Sequence, residues 1–151
     1  MIARDPTPLE QRVAATQATL DDWKDRPFDW KANSHCVRMV TEHLRRMGYK
    51  PPLSKGGSFD TPLGAKRALA RAKVKTLGEA VDLLRIERIP PAMAIVGDII
   101  ELPGEAPFGA LTVALGNGRV LGWHEDAAGC AVLQPLAFVS AWRVDPTYGT
   151  F

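Results

Sequence analysis

The 151-residue sequence has few cysteines, few aromatic residues and almost no net charge. Its two cysteines, Cys36 and Cys130, show no CxxC spacing. This excludes a zinc ribbon or a disulfide framework and fits synthesis in a reducing compartment. Lys and Arg exceed Asp and Glu by 19 − 17 = 2, a field too weak for a general nucleic-acid or membrane-surface binder. The longest apolar stretch, Ala92 to Ile100, contains Asp98 and is far shorter than a membrane span. Met1 to Pro6 has no apolar leader pattern. The expectation is a chain without signal or membrane segment, and without metal or cofactor. What is present, 46% hydrophobic and 24% charged residues, suits one globular domain with a core able to fold alone.

Helix signals come first in the chain. Thr7-Pro8-Leu9-Glu10 predicts a start with Thr7 as N-cap, Pro8 at N1 and Glu10 closing a capping box. Leu9, Val13, Leu20 and Trp23 follow at helical spacing, and Arg26-Pro27 ends the helix. A second helix opens at Asn33 or Ser34 and runs to Met47, with Gly48 in the left-handed C′ position. It aligns Cys36, Val40, Leu44 and Met47 on one stripe. Thr61-Pro62 and Thr76-Leu77-Gly78-Glu79 open two shorter helices, and Lys50 to Asp60 reads as a polar loop between.

From Pro90 onward short β-like runs alternate with Gly and Pro: Ala94 to Leu102, Ala110 to Leu115, Arg119 to His124, Ala131 to Leu133 and Ala141 to Val144. Gly116-Asn117-Gly118 makes a hairpin of the second and third. Helices followed by an antiparallel sheet give an α+β domain.

Three stretches carry a resemblance. Phe28-Asp29-Trp30 leading to His35-Cys36 looks like the aromatic approach to the nucleophile of NlpC-type cell-wall peptidases, papain-like cysteine hydrolases of bacteria and phages. Val96-Gly97-Asp98-Ile99-Ile100 resembles their Gly-Asp strand, and Ala110 to Arg119 their strand and Gly-Asn-Gly turn. With Ala141-Trp142-Arg143-Val144 at the end, the chain is more narrowly similar to a family of small phage tail proteins. The resemblance implies an N-terminal helical extension over 1–26, a papain-like domain over 27–144 and a C-terminal tail over 145–151. It also implies a place in the virion tail tip, assembled in the bacterial cytoplasm among tail-tip and hub proteins. In the peptidases a histidine begins the strand before the turn; here that residue is Ala110. An Asp commonly precedes the nucleophile; here it is His35.

A cysteine peptidase needs an imidazole beside the sulfur to form the thiolate and to protonate the leaving amine. His43 lies seven residues beyond Cys36, about 10 Å along a helix, and is too far. His35 points about 100° away on a regular helix, a restriction that a cap position would loosen. For His124 the hairpin register decides. A two-residue Asn117-Gly118 turn pairs Gly116 with Arg119 and sets His124 opposite Leu111, away from Ala110. A three-residue loop sets His124 opposite Ala110, on its face. Cys36 then has two readings, a small core residue or a thiol whose pKa the helix start lowers. The leading expectation is a structural tail component on a fold without activity. The alternative is an active hydrolase of peptidoglycan crosslinks with Cys36 as nucleophile and His124 as base. Cys130 reads as structural, Asp98 as a turn residue, and Trp30 and Trp142 as packing. Lys66, Arg67, Arg71, Lys73 and Lys75 read as a solvated helix face, so no nucleic-acid partner is expected; a regulator binding an anionic ligand there is the third reading.

Overall fold

A computed structural model describes residues 5–50, 61–104, 110–124 and 128–146. All but the first residue of the loop expected over Lys50 to Asp60, and the last five residues of the expected tail, lie outside the described residues. The chain forms α1 (Pro8–Trp23), α2 (Cys36–Arg46), α3 (Pro62–Arg71) and α4 (Leu77–Asp82), then β1 (Arg88–Ile89), a 3-10 turn (Pro91–Met93), β2 (Ile99–Leu102), β3 (Ala110–Gly116), β4 (Arg119–Gly122), β5 (Ala131–Leu133) and β6 (Ser140–Trp142). The six strands make one sheet in the order β1-β6-β2-β3-β4-β5, each neighbouring pair antiparallel. The α+β class expected from the sequence is what forms.

Local chemistry sets most of the helix starts. Thr7 accepts from Glu10 N at 3.1 Å, while Glu10 Oε1 accepts from Thr7 N at 3.3 Å, closing the capping box. Thr61 and Thr76 cap α3 and α4 through their hydroxyls, which accept from Gly64 N and Glu79 N. At α4 the acidic residue reaches one position further back: Glu79 Oε2 accepts from Lys75 N at 2.8 Å. The start of α2 differs from expectation. Its N-cap is His35, whose Nδ1 accepts from Arg38 N at 3.2 Å, because Asn33 turns left-handed (φ 57°) and Ser34 bridges to Asp29. After α1 the chain is sewn to the segment before β5: Asp25 N donates to Cys130 O and Cys130 N to Arg26 O, at 2.7 and 2.8 Å. A Cβ at Gly129 would lie 2.6 Å from Asp25 O, so only glycine permits this approach.

The sheet has one heavily covered face. Ile99, Leu111, Val113, Leu121 and Trp142 pack with Trp23, Met39, Val40, Leu44, Met47 and Leu77 from the helices. The opposite face holds a small cluster, Ile100, Ala114, Val120 and Ala141. Helix α1 keeps half of its expected stripe inward: Trp23 is buried and Leu20 packs on the core, while Leu9 and Val13 remain exposed. The rest of the buried side is Arg12, Ala15, Thr16 and Thr19. Polar pairing accompanies it, for Arg12 reaches Asp98 and Thr19 reaches His43.

The β3–β4 hairpin combines both expected registers. At the tip, Asn117 and Gly118 both take positive φ (55° and 76°) in a two-residue turn, and Gly116 pairs with Arg119. A bulge between Ala114 and Gly116 then shifts the ladder, pairing Ala114 with Val120 and Val113 with Leu121. Gly122 is needed within this register, since a Cβ there would lie 2.7 Å from Thr112 Cγ2.

Candidate functional site

Asp29 and Ser34 bridge backbone to backbone, and Asp29 Oδ1 accepts from Lys31 N at 3.0 Å, folding the approach to α2 into a tight loop. This loop presents its two aromatic rings to one another and to β4. Phe28 meets Trp30 edge-on at 5.4 Å and Trp123 at 5.6 Å; Trp123 meets Trp23 at 5.9 Å and donates from Nε1 to Arg26 O at 2.8 Å. The rings and the start of α2 enclose a cavity of about 270 Å³. Cys36 and Val37 form its helical wall, Ala110 and Leu111 its strand wall, and Pro62, Ala65 and Leu77 its far side. Cys36 and Ala110, singled out separately in the sequence, therefore share one cavity.

The cavity wall is hydrocarbon, indole and one thiol. No described lining residue carries an imidazole, a carboxylate or an amine. Cys36 is half-buried at the first position of α2. Its thiol is pushed above the ordinary value, chiefly by burial, against the backbone N–H groups of Leu111, Val37 and Cys36 itself, which favour the thiolate. The expectation that a helix start lowers this pKa is thus reversed. The favourable amide dipoles are present, and desolvation of the charged form outweighs them. His124, next after Trp123, is exposed and is not among the residues lining the cavity. The ladder ends at Gly122; continued by two residues, its register would set position 124 opposite Ala110.

The other two histidines are built into the framework. His35 is buried and serves as the cap of α2; burial, helped by the charge of Arg38, lowers its pKa to about 4. A cap must accept a hydrogen bond, so the neutral ring is the form that performs this role. His43 is fully buried, bonded through Nε2 to Gly97 O at 2.9 Å and through Nδ1 to Thr19 Oγ1 at 2.8 Å. A carbonyl only accepts, so Nε2 carries the proton and Nδ1 receives the threonine hydroxyl. Burial lowers the His43 pKa to about 4, against the Gly97 hydrogen bond, which raises it.

Asp98 follows at once and is fully buried. Oδ1 accepts from Arg12 Nη1 and Val144 N, both at 2.9 Å; Oδ2 accepts from Ile95 N at 2.9 Å and Arg143 Nε at 3.0 Å. The turn role read from the sequence is present, joined to a larger one: this carboxylate ties α1, the start of β2 and the chain after β6 together. Sequence reasoning missed Arg12, Thr19 and Arg143. The Gly97-Asp98 pair was the available signal, for a carboxylate next to a left-handed glycine (φ 91°) inside an apolar run requires partners.

Cys130 is buried with its Sγ 3.8 Å from Met39 Sδ, and its thiol is pushed up to about 12 by burial and the Asp25 charge, which suits the structural role expected. Lys66, Arg67, Arg71, Lys73 and Lys75 are all exposed, and α3 buries Ala65, Ala68 and Leu69; the helix ends at Arg71, so Lys73, left-handed at φ 60°, and Lys75 lie beyond the helix face expected to carry them. Among the described residues no group of His, Cys, Asp and Glu is arranged to hold a metal ion, and no helix is long and apolar enough to cross a membrane.

No curated protein matches the chain. A family model described as Domain of unknown function (DUF6950) matches residues 8–144, from the first residue of α1 to beyond β6, and the chain belongs to that family.

Proposed function

We propose that the chain is a catalytically silent papain-like domain of NlpC type that serves as a packing component of a phage tail tip. One observation carries the silent half of this reading: the cavity beside Cys36 holds Ala110 where the resemblance places the catalytic histidine, and no described lining residue can take a proton. The raised Cys36 pKa supports it, since the thiolate is the nucleophile. His35 supports the likeness itself, because it performs the capping role that an aspartate before the nucleophile would fill. The tail assignment rests on the resemblance of Phe28-Asp29-Trp30, Gly97-Asp98 and Ala141 to Val144 to the small tail proteins.

The test is thiol chemistry. Iodoacetamide alkylation of Cys36 at pH 7 should be slower than that of an unfolded cysteine peptide and unchanged in His124→Ala. Ala110→His, which puts an imidazole on the cavity wall, should speed it about tenfold, the effect of one unit of pKa. If Ala110→His leaves the rate unchanged, position 110 is not the histidine position and the NlpC reading falls. The tail role is tested by co-expression with phage tail-tip and hub proteins; a chain that purifies alone from all of them would defeat that half.

An active hydrolase with Cys36 as nucleophile and His124 as base is the second reading. The bulge before Gly116 favours it, because the shifted register, extended, points position 124 across the ladder at Ala110. That reading requires cleavage of muropeptide crosslinks that disappears in both Cys36→Ala and His124→Ala.

A further inference from the structure

Helix α1 leaves an apolar side in water, and that side has an opposing wall. Leu9 is 61% and Val13 48% exposed, while Arg12 between them is 3% exposed. Val13 and Leu20 face Val96, Leu115 and Val132 across a groove of about 440 Å³. Val132 lies on β5, the last strand of the sheet, and is itself 43% exposed. Aliphatic groups from a helix, a loop and two strands thus converge on open space. Scattered exposed aliphatics are ordinary; a concave set with matching walls marks a contact surface.

The polar groups in the groove identify its occupant. Thr16 donates its hydroxyl to Arg12 O at 2.8 Å, and Gln17 donates to Asp21 at 2.8 Å, so both are engaged within the helix. Arg119, exposed at the β3–β4 turn, also lines the groove and forms no ion pair among the described residues. It is the one charged side chain on the described wall. An aliphatic lining that includes one exposed guanidinium complements an aliphatic side chain adjoining a carboxylate.

The geometry points to this groove as the docking site for a partner protein's peptide segment that places aliphatic side chains against Val13, Leu115 and Val132 and a carboxylate on Arg119. The groove shares no lining residue with the Cys36 cavity, so the inference stands or falls apart from the function proposed above.

The experiment is a backbone amide NMR titration of the full chain with two capped pentapeptides, acetyl-Gly-Leu-Glu-Leu-Gly-amide and its Lys counterpart. The glutamyl peptide should shift the amides of Val13, Leu20, Leu115 and Val132, and the lysyl peptide should bind about tenfold more weakly, the effect of losing one charge-assisted pair. Arg119→Ala should abolish the difference between the peptides, and Val13→Ser should weaken both; each is a surface substitution outside the core. Equal binding of the two peptides, or shifts that avoid this groove, would overturn the assignment. So would concentration-dependent self-association lost in Val13→Ser, which would give the groove to a second copy of the chain.

Discussion

Two regions that meet along α2 are built from opposite chemistry. Around Asp98 and His43 the interior is polar and closed: the carboxylate takes four donors, and both ring nitrogens of the histidine are engaged. Around Cys36 the wall is apolar and encloses open space. A catalytic centre combines these properties, holding a titratable group at the edge of a cavity where a reacting atom can reach it. Here they are separated. The buried titratable groups hold the architecture, and among the described residues lining the cavity none carries an imidazole, carboxylate or amine.

The comparison can be broken most severely at Asp98. Asp98→Ala would remove the buried charge partner of Arg12, leaving its guanidinium only the exposed Asp145, and release the backbone of Ile95 and Val144. A loss of about 3–5 kcal/mol is expected in urea unfolding. The matching removal on the apolar side, Cys36→Ala, should cost far less, since a half-buried thiol loses little contact. If both substitutions cost the same, the contrast between the regions is unsound.

The next effect is pH dependence. In the unfolded chain histidine titrates near 6.5, whereas His35 and His43 are held at about 4 when folded. Above pH 6.5 both states are neutral and the rings impose no penalty. As pH falls below 6.5 the unfolded chain binds protons that the folded chain does not. Stability therefore declines toward the folded pKa, by about 2 kcal/mol per histidine between pH 6.5 and 5. Unfolding measured at pH 7, 6 and 5 should show an uptake of about two protons, reduced to about one in His43→Gln. A flat profile would mean that neither ring is held neutral. The smallest effect is local: Thr7→Ala removes the cap and half of the capping box of α1, for a loss of about 1 kcal/mol.

Much of the fold is legible in the sequence where the interaction is short-range. Thr7, Thr61 and Thr76 each cap the helix they announce, because the cap bond spans three residues. Asn117-Gly118 makes the tight turn it spells, because both residues tolerate positive φ. Strands β3, β4 and β5 form where alternation and turn residues place them. β1 has no such signal: Arg88 and Ile89 become a strand only because β6 passes beside them. The candidate site divides in the same manner. Cys36 at the head of a helix is readable, and so is Ala110 at the start of the strand before the turn. The cavity joining them is assembled from α2, α3, α4, β3 and the 28–30 loop, and no local pattern encodes that meeting.

By itself the sequence determined where α1, α3, α4 and the Asn117-Gly118 turn begin, and that a sheet follows the helices. These depend on dihedral preference and on hydrogen bonds between near neighbours. Only the tertiary structure decided which side of α1 is buried, where the hairpin register shifts, and that burial outweighs the helix start at Cys36. Each of those outcomes compares desolvation with pairing among groups far apart in the chain. Arg12 lies 86 residues from Asp98, and their meeting is buried while Leu9 and Val13 on either side of Arg12 stay exposed.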